Sequence, residues 1–348
     1  MRVGIVFHKN PFAPPSSIDL IRLRAIAGGL TARGIATEII APVEREGFLD
    51  GRIPVRKPSV LGQGGRYDLV KTSYHYSVLL LNDYRGPVVS RIVRVVDREL
   101  PERDEAARGE LLRCQDIIAA RASAVALNND ENRERWLARY GDSPPQILVP
   151  TGCPSRIPAP RTNPYPVGEP AILFLGSVAA PRMVNLLNAA AERLAGIARI
   201  HLVGLNKTCM YGGDEDCLLG PLVLDHGELP EEEIWDYVRN ARFGLALATG
   251  PHAFDNDISK IFTYLRGGAP VLSEEPIVNN ELIRRTGYGR VFRYGDIEDL
   301  VSAALELVDS PMDDKRKSVM ELMVKEHSWE TRVGTYVALF TAILGKRS

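Results

Sequence analysis

Residues 255–272 hold the densest group of side chains with chemical potential in this 348-residue sequence. Asp255, Asn256 and Asp257 are turn and cap formers, the residues after them are helical in character, and Gly267-Gly268 stop the helix before an apolar run. Ser259 and Lys260 therefore fall in a helix's first turn, where backbone N–H groups lack intrahelical partners and the positive end of the dipole lies. An ammonium there is disfavoured by like sign unless an anion accompanies it. Free amides beside a lysine suit a diphosphate. For Asp255 and Asn256, helix capping is the competing reading.

That segment needs a scaffold, and the rest of the chain supplies one. Short apolar runs at 3–7, 37–41, 68–72, 88–93, 124–127 and 147–149 have the length of buried parallel strands. A helical pattern at 17–32 lies between the first two, with Ser16 or Ser17 as N-cap and Gly34 as its stop. After residue 149 comes an aperiodic stretch, 150–170, with seven prolines. The alternation then restarts, with strands at 171–175, 199–203, 223–224, 243–248, 270–273 and 290–292 and helices at 184–194 and 231–240, the latter preceded by Pro230. Strand–helix alternation predicts an α/β fold of two doubly wound domains, 1–155 and 169–328, joined by a linker at 156–168. A last helix, 329–348, is expected to pack back on the N-terminal domain. Ligands of such sheets gather at the carboxyl ends of the strands, here at a cleft that the two domains would face.

Composition narrows the function. No run of about 18 apolar residues occurs, and the chain opens into a strand rather than a leader, so a cytoplasmic protein is expected. Cys114, Cys153, Cys209 and Cys217 form no CxxC pair, which gives no zinc-site spacing; Cys209 and Cys217 flank a Gly/Asp-rich loop and could approach each other. Residues 1–150 carry 22 Lys/Arg against 18 Asp/Glu, the remainder 21 against 26. The mildly basic first half is compatible with an anionic acceptor, with peripheral contact at the inner face of a membrane, or with an ordinary solvated face. No basic run interleaved with aromatics points to nucleic acid. No GxGxxG follows either domain's first strand, which disfavours a nicotinamide dehydrogenase.

With these features in view, the sequence resembles the GT-B fold glycosyltransferases related to family 4, whose two domains are Rossmann-like. Lys260, Phe262, Thr263-Tyr264, Gly268, Pro270 and Val271 are similar to that family's donor-site segment. The run ILFLGS at 172–177 resembles the first strand and glycine loop of its second domain, and Gly204 ends the next strand. The stretch 224–247 resembles its downstream glycine, acidic helix and strand, and Trp329 the tryptophan that opens its last helix. In the first domain, 128–140 and the VPTGC of 149–153 match in order. The departures are as specific. Of the family's two glutamates, which have seven residues between them, the first is shortened to Asp255 and the second replaced by Thr263. The glycine pair after the first strand is absent from 10–17, and Val93 and Arg94 stand where the family often has His-Asp.

The resemblance implies transfer of a sugar from a UDP- or GDP-sugar to the hydroxyl of a saccharide or lipid-linked acceptor in glycan, glycolipid or polysaccharide synthesis, without a metal and with no cofactor beyond the co-substrate. A metal-independent transfer needs cations and helix amides to stabilise the departing diphosphate. Lys260 is the principal residue for this, helped by Ser259 and the backbone of Gly176 and Ser177, with Arg182 as a second cation or a solvated arginine. The family's pattern adds Gly204, His226 and Gly227 near the nucleotide, Thr263 in the ribose position, and Asp255 and Asn256 toward the donor sugar. Asp97 is the best-placed acid for a base, pairing with Arg94 or Arg98 being the alternative. His8 and His75 follow strands and are acceptor-side candidates, each with a structural role as the competing reading. Two rival functions stay open, a hydrolysing nucleotide-sugar epimerase of the same fold and a non-catalytic nucleotide-sugar binder.

Overall fold

The computed structural model describes residues 1–13, 17–81, 84–96, 105–208, 218–252, 257–309 and 312–346. Asp97, Cys209, Cys217, Asp255 and Asn256 lie outside the described residues. The chain divides into two compact units, Met1–Gly152 with Trp329–Ser348, and Cys153–Ser328.

The first unit is built on an eight-stranded sheet. In chain order it contains β1 (Arg2–Val6), α1 (Ile18–Ala32), β2 (Ala36–Ile40), β3 (Gly47–Leu49), β4 (Ile53–Arg56), β5 (Leu69–Thr72), β6 (Val88–Ile92), α2 (Glu105–Arg121), β7 (Ala124–Leu127), α3 (Asp130–Tyr140) and β8 (Gln146–Leu148). The spatial order is β3-β4-β2-β1-β5-β6-β7-β8, parallel except for the β3–β4 hairpin. Alternation along each strand divides its residues between two cores. Val3, Ile5, Val89, Ala124 and Ala126 face the layer that contains α1, whereas Val6, Val70, Val88, Val125 and Leu127 pack with Cys114 and Ile118 of α2 and Trp136 of α3. Ser17 caps α1, its Oγ accepting from Leu20 N at 3.4 Å.

The second unit contains β9 (Ala171–Leu175), α4 (Pro181–Arg193), β10 (Arg199–Val203), β11 (Val223–Asp225), α5 (Glu231–Asn240), β12 (Phe243–Ala246), α6 (Lys260–Gly267), β13 (Val271–Glu274), α7 (Asn280–Thr286), β14 (Gly289–Phe292), α8 (Ile297–Asp309) and α9 (Asp313–His327). Its six strands are all parallel in the order β11-β10-β9-β12-β13-β14. Ile172, Phe174, Ile200, Leu202, Phe243 and Leu245 point to the face covered by α4 and α8. Leu173, Val203, Ala246 and Val271 point to the face covered by α5, α6, α7 and α9.

Several boundaries differ from the sequence expectation for local reasons. The fourth strand of the second unit ends at Ala246 rather than 248. Its first helix starts three residues early because Pro181, pre-set to helical φ, takes the N1 position. The β3–β4 hairpin, α2, α8 and α9 were not anticipated. The hairpin did have a signal: Asp50-Gly51, both with positive φ (52° and 69°), sits between apolar runs.

The last helix, α10 (Trp329–Gly345), belongs to the first unit and lies against α1. Trp329, Val333, Tyr336 and Phe340 recur at helical spacing and are buried in the α1 core. The contact is close enough that a Cβ on Gly29 would stand 2.5 Å from Val333 Cγ2. Gly29→Leu is therefore expected to lower stability by about 1–3 kcal/mol through overpacking. Chemical denaturation of the two proteins checks this, and equal midpoints would contradict the close packing.

Candidate functional site: a glycine-lined strand edge with an unpaired lysine

In the second unit the chain leaves β9, β10 and β11 through glycines that are tied together at the carboxyl edge of the sheet. Gly176 N donates to Val203 O at 2.8 Å, Gly204 N to Gly227 O at 2.8 Å, and Gly227 N to Asp225 Oδ1 at 2.9 Å. The approach leaves no room for a side chain: a Cβ on Gly204, whose φ is 149°, would stand 2.2 Å from Gly176 O. Gly176 itself has φ 93°. Bare backbone at a strand edge is the surface a phosphate group can approach.

Lys260 opens α6 and reaches to this edge. Its Nζ lies 3.5 Å from the centroid of the buried Phe174 ring, and its Cε is 4.0 Å from the position a Cβ on Gly176 would take. Among the described residues no carboxylate is within 4.0 Å of the ammonium. Desolvation alone draws its pKa down to about 7. An amine this easily neutralised, facing open backbone, is poised to gain from an arriving anion. The helix start is tighter than the sequence implied. Ile261 N and Phe262 N donate to Ile258 O and Ser259 O, so the amides left to face a ligand are those of Ser259 and Lys260. Ser259 occupies the N-cap position without a side-chain capping bond. Thr263 is one turn beyond Ser259 on the same helix face and half-buried.

Arg182 does not extend this site as a second free cation. Its guanidinium forms a two-pronged ion pair with Glu274 and donates to Ala248 O, while its plane lies 4.2 Å from the Tyr294 ring centroid. Glu274 is fully buried and also accepts from Ala248 N at 2.7 Å and Gly295 N at 2.8 Å. The arginine's charge is thus consumed in supporting the loops after β12 and β14. Glu274 carried no sequence signal, since SEEP reads as an ordinary acidic turn.

His226 is likewise engaged by the protein. Its Nε2 is 2.9 Å from Nδ1 of the buried His201, the rings stacking at 5.2 Å, and its Nδ1 is 3.3 Å from the Tyr237 hydroxyl. Burial, followed by His226 and Arg199, lowers His201 to about 4, and burial lowers His226 as well. Only the backbone and ring face of His226 are left for a ligand. His201 was missed because an imidazole inside a strand has no spacing signature.

A further residue holds the edge in place. The Tyr264 hydroxyl accepts from Leu175 N at 2.7 Å and lies 3.0 Å from Leu173 O and 3.1 Å from Leu245 O. It therefore bridges β9 to β12 immediately before Gly176.

In the first unit, His8 and His75 come together with tyrosines at the carboxyl ends of β1 and β5. His8 stacks on Tyr74 at 5.1 Å, and Tyr74 and Tyr76 lie 3.9 and 4.7 Å from the His75 ring. Burial holds His8 near 4 and His75 near 3, so both rings are neutral at pH 7. His8 is half-buried, with its Nδ1 3.5 Å from Ser77 Oγ. His75 is enclosed, and among the described residues neither ring nitrogen has a partner. The same unit buries Lys71 and Arg91, a pair visible in the sequence only as single charges inside the apolar runs LVKT and VVSRI.

Two substitutions separate scaffold from ligand contact. Tyr264→Phe leaves the Leu175 amide unpaired and is expected to cost about 1–3 kcal/mol, read by urea denaturation. Arg182→Met should cost about 3 kcal/mol by stranding the Glu274 carboxylate while changing nucleotide affinity little. A calorimetric titration showing the opposite ranking would return Arg182 to the ligand site.

Comparison with known proteins agrees with this architecture. No family model matches the sequence. A D-inositol 3-phosphate glycosyltransferase of Thermobifida fusca is 26% identical over 211 residues, which span 55% of this chain and 47% of that protein. The match thus covers about half of the relative's length. Among solved structures, sucrose-phosphate synthase of Thermosynechococcus elongatus superposes with a TM-score of 0.79 at 15% identity, covering 99% of each chain. Anabaena HepE in complex with UDP-glucose superposes at 0.77 with 13% identity, covering 98% of this chain and 100% of that one. WaaG, a glycosyltransferase involved in lipopolysaccharide biosynthesis, gives 0.69 at 12% identity and the same coverage. These superpositions show that the chain has the two-domain GT-B fold.

Proposed function

We propose that the chain is a glycosyltransferase that binds a UDP- or GDP-sugar at the carboxyl edge of its second unit and transfers the sugar to an acceptor hydroxyl, with a saccharide or lipid-linked acceptor and a place in glycan, glycolipid or polysaccharide synthesis. One observation carries the reading: Lys260, unpaired with any carboxylate among the described residues, stands beside the open backbone of Gly176. A diphosphate placed there receives the ammonium, the amides of Ser259 and Lys260, and the bare strand edge at Gly176, Ser177 and Gly204. As the glycosidic bond breaks, charge develops on the departing diphosphate, and the same groups stabilise it most at that moment. The UDP-glucose complex of HepE supports a nucleotide sugar as co-substrate.

Thr263, in the position of the family's second glutamate, gives ribose a hydroxyl in place of a carboxylate. Asp255, Asn256 and Asp97 keep their proposed parts toward sugar and acceptor from the sequence alone. For the acceptor proton we name His8, which is half-buried at the end of β1 and open to a ligand, whereas His75 is enclosed.

The sign of the pH dependence follows from Lys260. The free amine loses its proton above about pH 7, and only the protonated form pairs with a diphosphate. Apparent nucleotide affinity should therefore fall by roughly tenfold for each pH unit above 7, until the raised pKa of the complex is reached. Lys260→Ala should weaken UDP or GDP binding by about 30- to 150-fold at pH 6.5, the equivalent of losing about 2–3 kcal/mol of charged hydrogen bonding, and remove that slope. Calorimetric titrations with UDP, GDP and their sugars, with product analysis against saccharide acceptors, test both steps. Pyrimidine and guanine nucleotides that fail to bind, or a variant with unchanged affinity, would falsify the donor site. Free epimerised sugar, or binding without turnover on any acceptor, would instead favour the epimerase or the binder.

A further inference from the structure

The opposite end of the second unit's sheet holds a cavity of about 640 Å³ that the donor site does not use. Ala171, Arg242, Pro270 and Tyr288, at or just before the starts of β9, β12, β13 and β14, form one wall, so the cavity lies about 16 Å, a five-residue strand length, from Gly176. Three guanidinium groups line it: Arg239 at the end of α5, Arg242, and Arg316 in α9. Among the described residues none of the three has a carboxylate within 4.0 Å.

Their hydrogen bonds go to carbonyl oxygens instead. Arg239 donates to Pro158 O, Arg242 to Leu307 O and Val308 O, and Arg316 to Arg239 O. Arg239 Nη1 is buried without a hydrogen-bond partner among the described residues. The carbonyl ends of α5 and α8 offset about half a charge each. Of the two acids at the rim, Glu169 is paired with Arg199 at 3.1 Å, which leaves Asp313 as the local counter-charge. Three cations are thus met by less than three negative charges. The proton affinity of Arg239 is lowered chiefly by burial; Asp236 opposes this, and Arg266 and Arg316 add smaller contributions in the lowering direction. The rest of the lining is mixed: Val308 and Met312 contribute apolar surface, and Asn163 and Asn240 polar groups.

From the cavity and the three arginine forks without carboxylate partners, we infer a second ligand site that takes a small organic phosphate. Its phosphate would sit on the fork-shaped donors of Arg239 and Arg316, and its organic part against Val308 and Met312. The volume is that of a small-molecule site. This inference does not rest on the donor reading, since the two sites share no residue.

The test uses Lys260→Ala protein, so that the proposed donor site cannot supply the signal, titrated calorimetrically with phenyl phosphate and with inorganic phosphate. Saturable binding is expected, tighter for phenyl phosphate, and weakened at least about tenfold when Arg239→Gln or Arg316→Gln is added. Should a glutamine variant fail to fold, Arg239→Lys keeps the charge, removes the fork and should still weaken binding severalfold. The inference is overturned by an absence of saturable heat at millimolar ligand, by affinities that the arginine substitutions leave unchanged in folded protein, or by inorganic phosphate binding as tightly as phenyl phosphate.

Discussion

One hydroxyl group holds the working edge of the second unit together. Tyr264 lies on α6, yet its oxygen engages main-chain groups of β9 and β12 at the point where β9 gives way to Gly176. A parallel strand that ends in a loop leaves its last amide without a ladder partner, and a buried N–H in that state is costly. Tyr264 fills the vacancy. Because the tyrosine and Lys260 share a helix one turn apart, the side chain that closes the strand also fixes where the ammonium can reach. The glycine loops, the lysine and the sheet edge are therefore positioned as one body.

Charge is managed differently at the two ends of this sheet. At the carboxyl edge Arg182 and Glu274 neutralise each other in a mostly buried pair, whereas Lys260 has no carboxylate within 4.0 Å among the described residues. At the amino edge Arg242 and Arg316 spend donors on the carbonyl ends of α8 and α5, where positive charge is welcome, and Arg239 donates to Pro158 O. The first unit carries a third arrangement. Lys71 and Arg91 are buried side by side on neighbouring strands, with the lysine's pKa well below its usual value through burial first and then Arg91 and Arg22. Arg91 donates to Val149 O and Arg332 to Thr151 O, so basic side chains tie the outgoing chain and α10 to this unit.

The alternation of apolar runs was enough to read the second sheet and six of the eight strands of the first, because strands buried on two faces must be apolar at nearly every position. Residues 171–175 and 199–203 were placed to the residue. Elements whose apolar positions are diluted by charge, such as α2 and α9, gave weak periodicity and were missed. Lys260 was legible because a lysine at a helix start contradicts the dipole and calls for an anion. Arg182 was misread for the complementary reason: its partner is 92 residues away, and sequence distance hides which charges are already satisfied. The His201–His226 pair and the Tyr264 bridge depend on register between strands, a property of the assembled sheet that local pattern does not carry.

The placement of α10 has a consequence for how the molecule is made. Residues 153–328 form the second unit from one uninterrupted stretch, whereas the first unit waits for a segment that follows it in the chain. During synthesis the earlier-begun unit is the one completed last, with the α1 face of its core lacking Trp329, Val333, Tyr336 and Phe340 until some 170 further residues have emerged. A chain interrupted between 152 and 329 thus leaves an apolar helix face uncovered, however well the second unit has folded, which makes α10 the lock on the first unit.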